Sequence, residues 1–504
     1  MRTARPEPTG FAAKAKDLQA LRDAVDQAAT VSGALWLSYI FVFLYLAIAA
    51  GAVTHKDLFF ENPVKLPFLN VELPLIAFFT LGPLLFLIVH AYTLLHFAML
   101  AGKVGAFHAE LEVTIPLRVD REDLRRQLPS NIFVQFLAGP RGVRTGVFGL
   151  MLRLIAWISL IIGPVALLVF FELQFLPYHD PVVTWWHRVA VFIDLILLWI
   201  LWPRVAPIKA TSALGRSYYV GLRIIGLTGL SLLSLVLVTT ATFRGEWLHN
   251  VFNVPPGPLH QFLVGGEVDD VAQRQKSWWS NRLVVPGIDL REHTKFDTKE
   301  KIESRTTTLR LRKRHFEDAI LENAYLPKAD LTGAELRRAR MRSTQLPGAS
   351  LHGAQLQEAR LDLAPLERAQ LQDASLFLAQ LKGARLDGAQ LQGATLVSAN
   401  MQGARLDEAE LQGATLVGAQ LHGASLAMAQ LQGASLDGAE LQGALLDLTQ
   451  LQGASLREAQ LQDASLFGAQ PQGASLAVVS LQRAFLFRTF VWRADAAGMN
   501  LQKA

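Results

Sequence analysis

The segment Ala409–Gly438, AELQGATLVGAQLHGASLAMAQLQGASLDG, repeats Ala-x-Leu-x-x every five residues, and neither regular element accommodates that period. On an α-helix a five-residue step advances about 500°, which sends successive leucines to every face. On a flat strand an odd step turns each leucine to the side opposite the last. Either way leucines would stand in water. The pattern is satisfied when each pentad is one short extended side, with Ala and Leu two residues apart pointing inward, closed by a corner at the frequent Gly. The chain must wind.

The winding is long. Stepping by five from Leu321 to Leu486 gives 34 centres, of which 31 are Leu, with Met341, Met401 and Pro471 the others; the positions two before hold Ala in 31 of 34 cases. No insertion breaks the register, although loops in repeat arrays ordinarily absorb extra residues. After the centre, Gln recurs at 372, 392, 412, 432, 452 and 472, while Asp387, Asp407 and Asp447 recur on a second set of spacings and Phe377, Val397 and Val417 on a third. A coil of four pentads fits these spacings, and at ~4.8 Å per coil the rod is roughly 40 Å long.

From about Leu311 to Phe487 the chain resembles the pentapeptide-repeat family. The resemblance implies an all-β right-handed quadrilateral β-helix, a solenoid, over 309–490. The residue before the central Leu, usually Asp or Asn in that family, is mostly Gln, Ser, Glu or Arg here, with Asp330 and Asn400 the exceptions. Some soluble members resemble DNA in shape and charge and bind topoisomerases. Arg342–Leu481 carries seven basic and thirteen acidic residues, an excess too mild for DNA mimicry, and nucleic acid is not an expected partner.

The whole chain is 51% hydrophobic, too apolar for a polar-faced repeat alone, so the excess must lie elsewhere. It lies in the first half. Val31–Val53, Leu73–Gly102, Val147–Phe171, Val182–Pro203 and Ser217–Phe243 can each span ~30 Å of hydrocarbon, which predicts a membrane α-helical bundle of about five transmembrane helices over 31–243. Thirty residues precede the first apolar run, too many for a cleaved signal. Lys and Arg number five in the N-terminal tail, seven from Lys103 to Gly146 and three from Arg204 to Arg216, against four in the alternate segments. Residues 1–30 are therefore expected to be cytoplasmic, with the repeat exported across a bacterial inner membrane and the lipid bilayer a partner. A linker over 244–308 holds the stiff spacer Pro255-Pro256-Gly257-Pro258, the segment RLVVPGIDL, readable as a strand and turn, and a basic run from Lys295 to Arg314 whose Leu309 and Leu311 fit a first coil.

No nucleotide loop, metal cluster or nucleophile triad is present in the sequence, so neither an enzyme nor a cofactor is expected. Cysteine is absent, which removes disulfide and thiol chemistry. Asp194 and His90 fall near the middles of the fourth and second apolar runs, and Arg153 and Arg223 about two turns inside their ends. An ionisable group at such depth is either functional or held in a pair that fixes helix packing. No broken-helix pair of the transporter kind is visible. The stretch VDREDLRRQLPSNIFVQFLAGPRGVR joins a charged helix to the apolar run Ile132–Ala138, suited to anionic headgroups, to a docking site or to packing beneath the bundle. At the far end Phe467, Phe485, Phe487, Phe490 and Trp492 crowd together. Either residues 491–504 fold back as a cap over them, or the cluster is an interaction patch for an unknown protein or a second copy.

The expected function is a membrane-anchored scaffold that mediates protein-protein interaction through a rigid β-helix. The competing reading is a transport or signalling protein whose bundle, through Asp194 and His90, is the active part and whose repeat is regulatory.

Overall fold

The computed structural model describes residues 10–68, 71–206, 213–242, 268–269, 274–275, 282–290, 307–489 and 491–504. The Pro255–Pro258 spacer, the basic run before residue 307 and Phe490 lie outside them. The chain forms two units, one of Met1–Val53, Glu61–Leu176 and Asp180–Phe243, the other of Thr54–Phe60, Pro177–His179 and Arg244–Ala504.

The first unit is helical. Its elements are α1 (Gly10–Gly51), the paired strands β1 (Val64–Leu66) and β2 (Val71–Leu73), α3 (Leu75–Thr114), α4 (Arg118–Arg126), α5 (Ile132–Ala138), α6 (Arg141–Arg144), α7 (Gly146–Trp157), a π-helical turn (Ile158–Ile162), α8 (Gly163–Phe175), α9 (Pro181–Val205) and α10 (Ala213–Thr242). The short α2 (His55–Phe60) belongs to the second unit. α3 packs on α1 and α9, and α8 on α9. Among the described residues three helices are long and apolar enough to cross a membrane, Asp17–Gly51, Leu75–Thr114 and Gly146–Tyr178. α9 and the shorter apolar stretch Ile224–Val236 of α10 lie where the other two spans were expected, and neither is among those three. The third apolar run is not one uniform helix, because the π-helical turn interrupts it.

Local chemistry sets several boundaries. Asp180 accepts from the N–H groups of Val182 and Val183 and Pro181 opens α9, a capped start with no donor lost to the proline. Asn131 caps α5 in the same way. Phe133, Val134 and Ala138 of α5 are buried and the Phe133 ring lies 4.0 Å from that of Phe97, so of the readings open for Ile132–Ala138 it is packing against the helices that occurs.

The second unit winds as the pentad pattern requires. Residues twenty apart pair in parallel, as in Thr415 with Ser435 and Gln420 with Glu440, so one coil is four pentads. Within the pentad Thr415–Ala419 four of five N–H groups are bonded to backbone: Thr415 to Ala394 O at 2.9 Å, Leu416 to Ser435 O at 2.7 Å, Gly418 to Asp437 O at 2.9 Å and Ala419 to Leu416 O at 3.0 Å. Three aspartates that follow a centre accept the fifth N–H one coil later, Asp407 from Ala427, Asp437 from Arg457 and Asp447 from Phe467, whereas Asp387 lies 3.2 Å from Arg405 Nη2. Those three therefore complete the backbone pairing. The inward Ala and Leu ladders are almost wholly buried, and the buried hydroxyls of Thr344 and Thr449, which replace Ala, donate to Leu321 O and Leu446 O.

Outward glutamines are linked too. Gln372 donates to Gln390, Gln412 to Gln430, Gln432 to Gln450 and Gln452 to Gln470. They form ladders of amides rather than isolated surface groups. Asp330 accepts from Thr332 and Arg312; burial works to raise its pKa, but these hydrogen bonds prevail and hold it below the usual carboxylate range.

The boundaries of the solenoid differ from 309–490. Leu283, Val284 and Ile288 are buried, and Val284 and Asp289 pair in parallel with Ile320 and Tyr325, so RLVVPGIDL is part of the first coils. Leu311 is buried there while Leu309 is only partly covered. At the other end 491–504 does not fold back: Asp495 and Asn500 pair with Ser475 and Ser480, continuing the winding to Ala504. Residues with the same pentad spacing meet the same open ladder, which another coil satisfies better than a reversal would. The near end is closed by segments from far upstream. The Val284 N–H donates to His55 Nδ1 at 2.9 Å, Phe59 packs 5.6 Å from Phe316, Arg314 donates to Leu58 O at 3.1 Å and stacks 4.2 Å from Tyr178, and His179 Nδ1 lies 3.2 Å from His315 O.

Two substitutions separate core from corner. Leu416 is fully buried, so Leu416→Asp is expected to cost about 3 kcal/mol or more. Gly433 has φ +67° with nothing within 4 Å of an added Cβ, so Gly433→Ala costs backbone strain alone, about 1 kcal/mol. In the full chain, amide exchange in the surrounding coils should accelerate more than about 100-fold for the first and about fivefold for the second. Equal acceleration would refute the inward placement.

Candidate functional site

The structure brings together two of the four polar residues expected inside the helices. His90 on α3 and Asp194 on α9 are both 0% exposed, with Nδ1 of the first 2.6 Å from Oδ1 of the second. α9 buries one stripe that includes His187, Ala190, Asp194 and Leu198, a helical spacing that turns Asp194 toward α3. His90 Nε2 lies 3.2 Å from Leu160 O. A carbonyl accepts only, so this nitrogen carries a proton, and Nδ1 and Asp194 share one more between them. The pair is neutral overall whichever atom holds that proton.

The π-helical turn explains why carbonyls are available here. Gly163 N–H reaches back to Ile158 O, and Pro164 has no N–H to give. Ser159 O is left without a helical donor and accepts from the Tyr39 hydroxyl at 2.7 Å; Leu160 O loses the donor residue 164 would supply and accepts from His90. Tyr39 and Phe86 stack on the imidazole at 5.7 and 5.9 Å. Asp194 Oδ2 is buried without a hydrogen-bond partner.

The other expected members do not join. Arg153 on α7 is exposed, so it is not the counter-ion of Asp194, and the side chain of Arg223 on α10 lies outside the described residues. A second buried polar group was not anticipated: Glu172 on α8 accepts from Arg188 Nε at 3.1 Å, and His187 Nε2 donates to Phe79 O at 2.7 Å. The signal for it was Glu172 itself, one residue past the apolar run that ends at Phe171. Among the described residues no group of three or more His, Asp or Glu could hold a metal ion. What the dyad can do is hold or exchange one proton between α3 and α9 and lock their register.

At the far end of the solenoid Phe467 and Phe487 stack at 5.8 Å with 15° between planes, and Phe485 lies 6.3 Å from each. Phe485 and Phe487 are more than half exposed. Trp492, exposed as well, has the Arg493 guanidinium 4.2 Å over its ring.

Comparison with known proteins bears on the solenoid. The family model described as Pentapeptide repeats matches in 8 copies, over residues 315–353, 349–388, 374–413, 414–453 and 434–470. Among similar solved structures, HetL of Nostoc sp. strain PCC 7120, involved in heterocyst differentiation regulation, is 29% identical over 40% of this chain and 92% of its own, with a TM-score of 0.18. A pentapeptide repeat protein of the Arabidopsis thaliana thylakoid lumen is 31% identical over 20% of this chain and 70% of its own, with a TM-score of 0.20. QnrB1, a plasmid-mediated fluoroquinolone resistance protein, is 18% identical over 39% of this chain and 88% of its own, with a TM-score of 0.16. No curated protein sequence matches.

The dyad predicts a thermodynamic cycle. His90→Leu or Asp194→Leu alone leaves a buried polar partner unmatched and should each cost about 3 kcal/mol. The double variant should be less destabilised than the sum by about 1 to 3 kcal/mol. Thermal unfolding of the full chain in detergent measures this, and strict additivity would show that the two side chains do not act as a pair.

Proposed function

The chain belongs to the pentapeptide repeat family, and we propose that it is a membrane-anchored scaffold whose solenoid binds a protein partner. Pentapeptide repeat proteins are generally structural or interaction proteins, not enzymes. The observation that carries the binding role is the stacked trio Phe467, Phe485 and Phe487. Elsewhere the sides of the solenoid carry linked amides and ion pairs with scattered exposed apolar side chains such as Leu363, Met428 and Val478, and a stacked, exposed aromatic cluster is the composition of a contact. The winding beyond these rings leaves them uncovered from the side. A partner protein or a second copy would be held by such a patch.

The anchor rests on inverted polarity. Asp194 and His90 are buried while Leu37, Phe41, Ile88, Ile158, Phe192 and Leu235 are exposed, an arrangement suited to a hydrocarbon solvent. α9, with 25 residues, reaches ~38 Å and with α10 completes five spans. Lys and Arg concentrate in the N-terminal tail and in the segments from Lys103 to Gly146 and from Arg204 to Arg216, which favours a cytoplasmic N-terminus and an exported repeat in a bacterial inner membrane.

The second reading, in which the bundle transports or signals, draws on the unpartnered Asp194 Oδ2. Against it, both His90 nitrogens are engaged and the pair is sealed from solvent, as a packing lock requires.

A reporter fused after Ala504 is expected to be active only in the exported compartment; activity in the cytoplasm would overturn the five-span topology. Full-length protein carrying Phe485→Ser and Phe487→Ser should bind its partner, or its second copy, at least tenfold more weakly by cross-linking and light scattering, with unchanged melting, whereas Asp194→Asn should bind normally. The opposite pattern would favour the bundle as the active part.

A further inference from the structure

α3, α4 and α6 line an open cavity of about 630 Å³ whose walls include Arg118, Arg121, Arg125, Arg141 and Arg144. Its size lies within the range of small-ligand sites. Two carboxylates also line it, and both are engaged. Glu122 accepts from Arg125 Nη1 at 2.8 Å and from the Arg141 backbone N–H at 2.9 Å, and Glu112 lies 3.1 Å from His108 Nε2. His108 Nδ1 accepts from Arg125 Nη2 at 3.0 Å, so that imidazole adds no positive charge. Arg118, Arg121, Arg141 and Arg144 form no ion pair among the described residues. Five guanidinium groups thus face two carboxylates, an excess of three positive charges around one cavity.

Burial makes this arrangement costly without a counter-charge. Arg125 is only 7% exposed, and the Nε atoms of Arg121, Arg125 and Arg144 are buried with no hydrogen-bond acceptor. An unmatched buried donor carries its full desolvation penalty. Burial, and then the neighbouring Arg125, push the Arg144 guanidinium below its ordinary pKa, against the pull of Glu122. A planar fork of N–H donors matches the oxygens of a phosphate two at a time. One dianion or phosphodiester would supply the missing acceptors and relieve the repulsion together.

We infer that this cavity binds a phosphate group. On the membrane reading above, its source is an anionic lipid headgroup. The apolar run of α3 ends at Gly102 and the cavity begins at Gly105, about 5 Å further along the helix, which is the depth of the headgroup layer. The phosphate chemistry itself does not depend on that reading, and a soluble phosphate compound would meet the same donors.

The test uses the purified full chain in detergent. Phosphatidylglycerol, phosphatidylcholine and inorganic phosphate are titrated separately, with thermal unfolding and native mass spectrometry as readouts. Phosphatidylglycerol is expected to raise the melting temperature and remain bound, with an effect that falls as salt rises; phosphatidylcholine, whose headgroup cation opposes the arginines, should not. Arg121→Gln with Arg144→Gln should weaken binding at least tenfold. Arg126→Gln, exposed and paired with Asp123 at 3.3 Å away from the cavity, should bind as wild type. Should the double variant fail to fold, Arg118→Gln with Arg141→Gln tests the same cavity from its exposed rim. Stabilisation by inorganic phosphate alone, lost in the same variants, supports the site and assigns it to a soluble ligand. Equal responses of wild type and variants, or no response to any phosphate, overturn it. The membrane reading is checked separately, by whether the chain sediments with membranes and needs detergent for release.

Discussion

Every property of the repeat half depends on parallel backbone pairing at an offset of twenty residues. A centre such as Leu416 donates to the carbonyl nineteen positions on, and the residue before it donates to the coil behind; among the centres Pro471 has no N–H to give. A single inserted residue would shift every later bond and turn the inward Leu outward, which is why 34 centres run without interruption. The side chains serve that ladder. Ala and Leu fill the space it encloses, and a residue with positive φ turns each corner, at Gly418 as at Leu448. Asp407, Asp437 and Asp447 occupy the one N–H per pentad that the backbone leaves free. Chemistry on such a surface is confined to what varies between coils, and the stacked phenylalanines are one such departure.

The helical half obeys a different constraint. Polar groups buried between its helices are out of reach of water and must find partners there. His90 does so by taking Asp194 on one side and a carbonyl freed by a proline on the other. A helix irregularity and a buried ionisable pair thus explain each other: without Pro164 the carbonyls at Ser159 and Leu160 would be committed to their own helix.

Much of this was legible in the residues. A period of five admits almost no other architecture, so the coil size and the inward Ala and Leu followed from spacing. His90 and Asp194 could be singled out because a charge in an apolar run is rare. Their pairing could not, since 104 residues separate them and spacing along one helix is silent about its neighbour. Arg153 looked equally suitable and faces outward. Pro164 was visible, but the π-helical turn it accompanies depends on which side chains reach the freed carbonyls. The ends of the solenoid were misread because RLVVPGIDL and residues 491–504 lack the Ala-Leu signature while still offering backbone to an open ladder. The arginines around the cavity were counted as a loop asymmetry; only the fold brings those of α4 and α6 together against α3.

The closure of the first coils by His55 and Phe59 bears on the order in which the chain is made. His55 is synthesised 229 residues before Val284, its hydrogen-bond partner. At 5 to 20 residues per second that interval is about 10 to 45 s, during which Leu58 and Phe59 have left the ribosome and the surface that will bury them does not exist. Closing so wide a span costs about 2 kcal/mol more than closing a twenty-residue coil, so the coils can wind on one another before the near end is sealed. The apolar face of α2 is therefore exposed longest at the moment of biogenesis, and a holdase that shields nascent apolar segments would have its clearest target there.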